Sequence, residues 1–151
     1  MINGAHATHL LREWGETKQA RRMADAAREF REDLRKAVMT WIAGRALPAA
    51  FVNRLNGFLQ EHPMRTKLQS RGKDSSTELW FEPQRPEDLL APLVHAAAML
   101  FATADRERVR KCSHCVLLFL DISKKGTRRW CSMDLCGNRA KVAAYAARQR
   151  G

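Results

Sequence analysis

No cysteine occurs outside residues 112–136 of this 151-residue chain, and only one tyrosine is present. Cysteines confined to one window argue against a disulfide-stapled secreted scaffold. The N-terminal MINGAHATHLLREWG lacks the basic and then apolar regions of a secretory leader, so a cytoplasmic protein is expected. The longest apolar stretch, 91–104, contains Pro92 and His95, and it falls short of the ~20 residues that a membrane helix needs. A glycine-rich nucleotide loop, a nucleophile elbow and a carboxylate or histidine constellation for acid–base work are also missing, which argues against an enzyme.

Acidic residues are scarce in one region. Residues 106–151 carry Arg106, Arg108, Arg110, Lys111, Lys124, Lys125, Arg128, Arg129, Arg139, Lys141, Arg148 and Arg150 against Glu107, Asp121 and Asp134, a formal +9. The first 105 residues hold the remaining +2 of the total +11. Segregated positive charge of this kind is the electrostatic footprint of a protein that binds phosphate backbones. An interspersed, merely solubilising charge pattern would spread over the whole chain.

The four cysteines are spaced Cys112-x2-Cys115 and Cys131-x4-Cys136, with fifteen residues between the pairs. Thiolates are soft ligands, and four of them supply the closed tetrahedral shell of a structural Zn²⁺ site. Two disulfides or a redox-active CxxC are the competing readings, and the expected reducing compartment favours zinc. Four thiolates on one Zn²⁺ add a net −2, leaving the segment at about +7. With all four positions filled by sulfur, none remains for a catalytic water. His114 lies inside the CxxC and is directed away from a ligand role.

Periodicity organises the rest. Met23, Ala27, Phe30, Leu34, Ala37, Val38 and Trp41 recur at helical spacing, predicting a long amphipathic helix over 17–43 that stops at Gly44. A short helical turn is expected around Leu10, Leu11 and Trp14, set apart by Gly15. Pro48 suits the first turn of a second helix, 48–61, with Phe51, Leu55, Phe58 and Leu59 inward and Pro63 as its stop. Segments 66–70 and 77–81 flank Arg71-Gly72-Lys73-Asp74-Ser75 and read as a β-hairpin within 66–82. A third helix is predicted from Pro86 toward Arg110, burying Leu89, Leu90, Leu93, Val94, Ala97, Leu100 and Phe101, kinked early by Pro92. His95 in that run reads as a core histidine bonded to a carbonyl.

In the cysteine region the expectation is a knuckle at 112–115, a strand over 116–122, a turn at Ser123–Gly126, a returning strand over 127–130, and a helix capped by Ser132 that runs to about residue 149. Knuckle, hairpin and helix make a treble-clef-like zinc finger. Residues 112–149 are expected to fold only with their metal, since so few residues bury too little surface to offset chain entropy. On the last helix Asn138, Lys141, Tyr145 and Arg148 share one side, while Leu135, Val142 and Ala146 are expected to pack. The first set is a candidate nucleic-acid face, with Lys124, Lys125, Arg128 and Arg129 at the hairpin tip suited to phosphates. Asn138 and Arg139 read either as nucleic-acid contacts or as braces of the metal site.

The segments Phe119-Leu-Asp-Ile-Ser-Lys124, Arg128-Arg-Trp-Cys-Ser-Met133 and Cys136-Gly-Asn-Arg-Ala-Lys141 resemble the CGNR zinc-finger family over about residues 108–149. Bacterial members pair that finger with an N-terminal ABATE domain, which Leu55-Asn56, Leu79-Trp80-Phe81-Glu82 and Asp88-Leu89-Leu90 resemble in the expected order. The resemblance implies a stress-responsive transcription regulator with a DNA-binding finger and an upstream sensor or dimerisation unit. Family members usually open with a strand like Leu-Asp-Phe-Val-Asn-Thr that pairs with the hairpin, and nothing like it precedes Leu10 here.

The expected fold is therefore mainly α with a small β-hairpin: a helical domain over 1–105 and a four-cysteine finger over 106–151, holding one structural zinc. The expected function is a zinc-dependent, DNA-binding, nucleoid-associated regulator, not an enzyme, whose helical domain serves dimerisation, giving a homodimer, or sensing. A protein-interaction or RNA-binding module with redox-sensitive zinc release is the alternative. The sequence identifies no small-molecule effector.

Overall fold

A computed structural model describes Arg12 and residues 17–150 of the chain, so the expected turn around Leu10 and Trp14 lies outside the described residues. The chain separates into two compact units, up to Ala102 and from Thr103 onward. The architecture is mainly α with two small two-stranded antiparallel sheets.

In the first unit, α1 (Lys18–Ile42) opens where Thr17 Oγ1 accepts the Ala20 N–H at 3.0 Å, a side-chain cap for one otherwise unpaired amide. It ends as Gly44 turns left-handed at φ +79°, a conformation glycine adopts without steric cost. Helix α2 (Ala49–Glu61) follows Pro48 and stops before Pro63. The third apolar segment is not one kinked helix: Pro86–Leu90 forms a 3-10 turn, and α3 covers Ala91–Thr103. Ala37, Phe51, Leu55, Leu90, Val94 and Ala97 form the buried core, with Met23, Ala27, Phe30, Leu34, Phe58 and Phe101 packed around it. Trp41 and Phe51 both meet Phe101 edge-on, at 5.3 and 5.9 Å between ring centres.

Two expectations for this segment fail. Leu89 and Leu93 are exposed, while Ala91 takes a buried place; the 3-10 turn changes the helical phase through which Leu89 was assigned inward. The helix also stops at Thr103 instead of reaching Arg110, because Asp105 accepts the Glu107 N–H at 3.0 Å and caps a separate 3-10 turn over Arg106–Arg108.

His95 is only half-buried. Among the described residues the buried histidine is His62, at the end of α2, stacked on Phe58 at 4.1 Å with its Nδ1 2.7 Å from Asp88 Oδ1. Asp88 also accepts the backbone N–H groups of Gln84 (2.9 Å) and Arg85 (3.1 Å), so one carboxylate ties the end of α2 to the turn that launches α3.

Strands β1 (Arg65–Arg71) and β2 (Asp74–Trp80) pair in register from Arg65 opposite Trp80 to Arg71 opposite Asp74. The turn is thus tighter than expected, two residues instead of five, and Gly72 supplies its positive φ. Among the described residues no third strand joins this sheet. Leu68 remains 70% exposed on it.

Candidate metal centre and nucleic-acid face

In the second unit the sulfurs are gathered by pairing around the knuckle. Strands β3 (Val109–Lys111) and β4 (Leu118–Leu120) run antiparallel, with Val109 opposite Leu120 and Lys111 opposite Leu118. Cys112–Cys115 is therefore the turn of this hairpin, and the Cys112 N–H closes it on the Leu117 carbonyl at 2.9 Å. The expected partner of the 116–122 segment, residues 127–130, forms no strand.

The reason is Asp121, whose side chain replaces a ladder. It is fully buried, and its two carboxylate oxygens accept the N–H groups of Ser123 (2.9 Å) and Arg128 (2.7 Å). Arg108 Nη1 completes the loop by donating to the carbonyls of Asp121 (3.2 Å) and Ser123 (2.8 Å). The hydrogen bond at Ser123, then those from Arg128 and the nearby Arg110 charge, outweigh burial and hold the Asp121 carboxyl down at about 2. Asp121 is ionised at neutral pH and fixes the path of the chain from β4 to the second cysteine pair.

The return is fastened at both sides of Trp130. Ser113 N–H donates to the Arg129 carbonyl at 2.9 Å, and Cys131 N–H points at Cys112 Sγ at 3.4 Å. Ser132 Oγ then accepts the Leu135 N–H at 3.3 Å and caps a π-helical turn over Met133–Gly137, which carries Cys136 into the interior. Helix α4 (Asn138–Gln149) continues from it.

Cys115 and Cys136 Sγ each lie 3.7 Å from Cys131 Sγ, and all four Sγ atoms fall within 4.8 Å of one another. A tetrahedron with metal–sulfur bonds of ~2.3 Å has edges of about 3.8 Å, so this spacing fits a four-thiolate zinc site. Its acid–base chemistry fits as well. Burial pushes the Cys136 thiol up, and the adjoining Cys115, Cys131 and Cys112 sulfurs push it further, to about 12. Cys131 is raised too, by burial and then by the Cys115 sulfur. Burial also raises Cys112, but N–H donors from Cys131, His114 and Cys115 outweigh it and bring the thiol to about 6. Four sulfurs this close resist losing all their protons unless a cation offsets the charge, which is what Zn²⁺ supplies. Cys112, Cys115, Cys131 and Cys136 are the ligand set for one zinc ion, and His114 is exposed and stands apart from it.

Around that centre the basic side chains divide. Lys124, Lys125, Arg129, Arg139, Lys141 and Arg148 are exposed, as is the neutral Tyr145. Arg128 is half-buried: its Nη2 donates to the Cys131 carbonyl at 2.7 Å, and its guanidinium lies 5.2 Å from the centre of the Phe119 ring. It therefore braces the metal loop. Asn138 is exposed, but its Nδ2 donates to the Asp134 carbonyl at 3.2 Å, satisfying an acceptor of the π-helical turn. Arg129 lies over the Trp130 ring at 5.4 Å. Contrary to expectation, Leu135 and Val142 do not pack; they are 61% and 68% exposed, and α4 has no buried residue. The π-helical turn also breaks the 3.6-residue phase that aligned Leu135 with Val142.

Sequence reasoning overlooked Asp121, Arg108 and the His62–Asp88 pair. A signal existed for the first: an acid inside the apolar run Leu117–Ile122, two residues before Ser123, is the pattern of a side chain closing its own turn.

Residues 108–149 match the model of the CGNR zinc finger. Residues 3–104 match that of the ABATE domain, described as "putative stress-induced transcription regulator". A search of curated proteins gives no match.

Proposed function

Because the chain belongs to the ABATE family, whose description is quoted above, and carries a CGNR zinc finger, we propose that it regulates transcription by binding DNA through that finger. The observation that carries this reading is the division of the basic side chains: Arg108 and Arg128 are spent on holding the metal loop, while Lys124, Lys125, Arg129, Arg139, Lys141 and Arg148 remain exposed. Zinc supplies a rigid frame and no reaction step. Lys124 and Lys125, at the turn after Asp121, are placed to neutralise phosphates, and α4 offers Lys141, Tyr145 and Arg148 along one side. The reading is non-enzymatic, with the helical unit serving dimerisation or sensing. A single finger makes few base contacts, so two protomers on paired half-sites supply the specificity.

A protein-interaction role is favoured by one feature of the finger, the exposure of Val116 (71%) and Ile122 (81%) beside β4. The two readings separate in one experiment: labelled duplex DNA is titrated with the zinc-loaded protein and with its Lys124→Glu/Lys125→Glu variant, then challenged with excess structured RNA. DNA binding predicts that the double reversal weakens affinity at least tenfold and that RNA competes poorly. Equal affinity of both proteins would sink the phosphate role, and efficient competition by RNA would reassign the nucleic acid.

A further inference from the structure

Beside the metal loop lies a cleft of about 370 Å³ lined by Thr127, Arg128, Arg129, Trp130 and Met133. Its size falls within the ~300–1,000 Å³ typical of sites for small organic groups. Its surface is mostly apolar, Trp130 and Met133 are among its lining residues, and the exposed Arg129 guanidinium lies 5.4 Å from the centre of the Trp130 ring. Bare phosphate would leave those apolar walls unused, and an acidic side chain would engage Arg129 alone. A planar, apolar-faced group joined to an anion uses both, and a nucleotide has that chemistry.

The cleft is also held in shape before any ligand arrives. The chain on each side of Trp130 is tied to the knuckle, through Ser113 to the Arg129 carbonyl and through Cys131 N–H to the Cys112 sulfur. Arg128 cannot swing freely, because it is bonded to the Cys131 carbonyl and lies over Phe119. On the remaining side Met133 packs against Gly137, where an added Cβ would stand 2.5 Å from the Met133 sulfur. A glycine at this position therefore leaves the Met133 side chain its place in the lining.

We propose that this cleft receives one unstacked DNA base, which takes the place of the Arg129 guanidinium over the Trp130 ring while Arg129 pairs with its phosphate, so that the finger prefers DNA containing an unpaired base to a fully paired duplex. Inside a continuous duplex both faces of a base are covered by its neighbours. Only a base that has left the stack can lie against an indole. The inference rests on the DNA-binding reading above and adds to it the form of DNA that is bound.

The test uses the full-length, zinc-loaded protein and two labelled duplexes of identical sequence, one of them carrying a single extrahelical thymine. Fluorescence anisotropy at one fixed salt concentration gives the ratio of affinities. The expected ratio favours the bulged duplex by about tenfold, the scale on which one stacked base contributes. Trp130→Ala should bring the ratio to near one, and Trp130→Phe should restore part of it. Zinc content is measured on each variant; if Trp130→Ala loses its metal, Met133→Ala and the wild-type ratio decide. Equal wild-type affinities for the two duplexes would overturn the proposal while leaving DNA binding intact. So would a preference that persists in metal-loaded Trp130→Ala. Failure to bind either duplex would overturn the DNA-binding reading and this inference with it.

Discussion

The two units of this chain reach a fixed structure by different physical means. In the helical unit Phe51, Leu55, Leu90 and Val94 close on one another, and the geometry follows from apolar burial. In the finger the buried side chains are Val109, Cys112, Asp121 and Cys136, of which one is an ordinary hydrocarbon. There the path is set by Asp121 accepting from Ser123 and Arg128, by Arg108 reaching two carbonyls, and by four sulfurs converging on one point. Apolar packing is non-directional and tolerates many arrangements, whereas hydrogen bonds and metal ligation specify particular atoms at particular distances. The chain thus combines a forgiving helical body with a small, directionally fixed backbone that carries the exposed cations.

Removing zinc should produce the largest effect and the sharpest contrast. Structural zinc contributes ~10–16 kcal/mol in small sites, and the finger has no apolar core to replace it. Hydrogen exchange with and without a strong chelator should show protection lost over residues 109–137 and retained over α1 and α2. Protection that survives chelation in the finger would break the contrast. Cys131→Ser, which removes the ligand whose sulfur lies 3.7 Å from two others, should behave as the chelated protein does.

Phe51→Ala inverts the experiment. It empties a buried aromatic site that also faces Phe101, at a cost of about 3–5 kcal/mol. Thermal or urea unfolding followed by circular dichroism should register the loss, while zinc affinity in a competition assay stays at the wild-type value. A parallel fall in zinc affinity would show that the two means of stabilisation are not separable.

Asp88 gives a smaller effect with a definite sign. Burial raises its pKa, but the N–H groups of Gln84 and Arg85 and the side chains of His62 and Arg85 lower it further, so its folded value lies below that of the unfolded chain. Such a group stabilises the fold above the unfolded carboxylate value of about 4, and that contribution is lost as pH falls through the depressed folded value. Asp88→Asn should cost about 1–3 kcal/mol at neutral pH and flatten the acid limb of the helical unit's stability curve below pH ~4. An acid limb identical in both proteins would assign the acid sensitivity to other carboxylates, such as Asp33 beside Arg54.

The same division governs how much could be read in advance. Helices α1 and α2 were legible because Met23 to Trp41 and Phe51 to Leu59 repeat at 3.6 residues, and the zinc ligands because sulfur spacing is a direct record of ligation. The β3–β4 pairing was not legible, since three-residue strands leave too short a run for alternation to show. Residues 116–122 looked like one strand of a later hairpin because nothing in their periodicity reveals that Asp121 turns inward and ends the pairing. A uniform helical phase gives Leu135 and Val142 one packed face, whereas Leu135 lies in the π-helical turn and both side chains are exposed. The basic residues were legible as charge, but only distances distinguish Arg128, bonded to the metal loop, from Arg129, exposed beside Trp130.

The proposed role of the finger is to bind a phosphate backbone through its exposed cations. It is tested most directly by the slope of log Kd against log salt for the zinc-loaded protein and duplex DNA, measured by fluorescence anisotropy. Each neutralised phosphate contributes about 0.9 to the slope, so engagement of several of the exposed Lys and Arg side chains predicts a steep loss of affinity as salt rises. Binding that is indifferent to salt, or absent at low salt, would contradict the account and leave the finger as a surface for another protein.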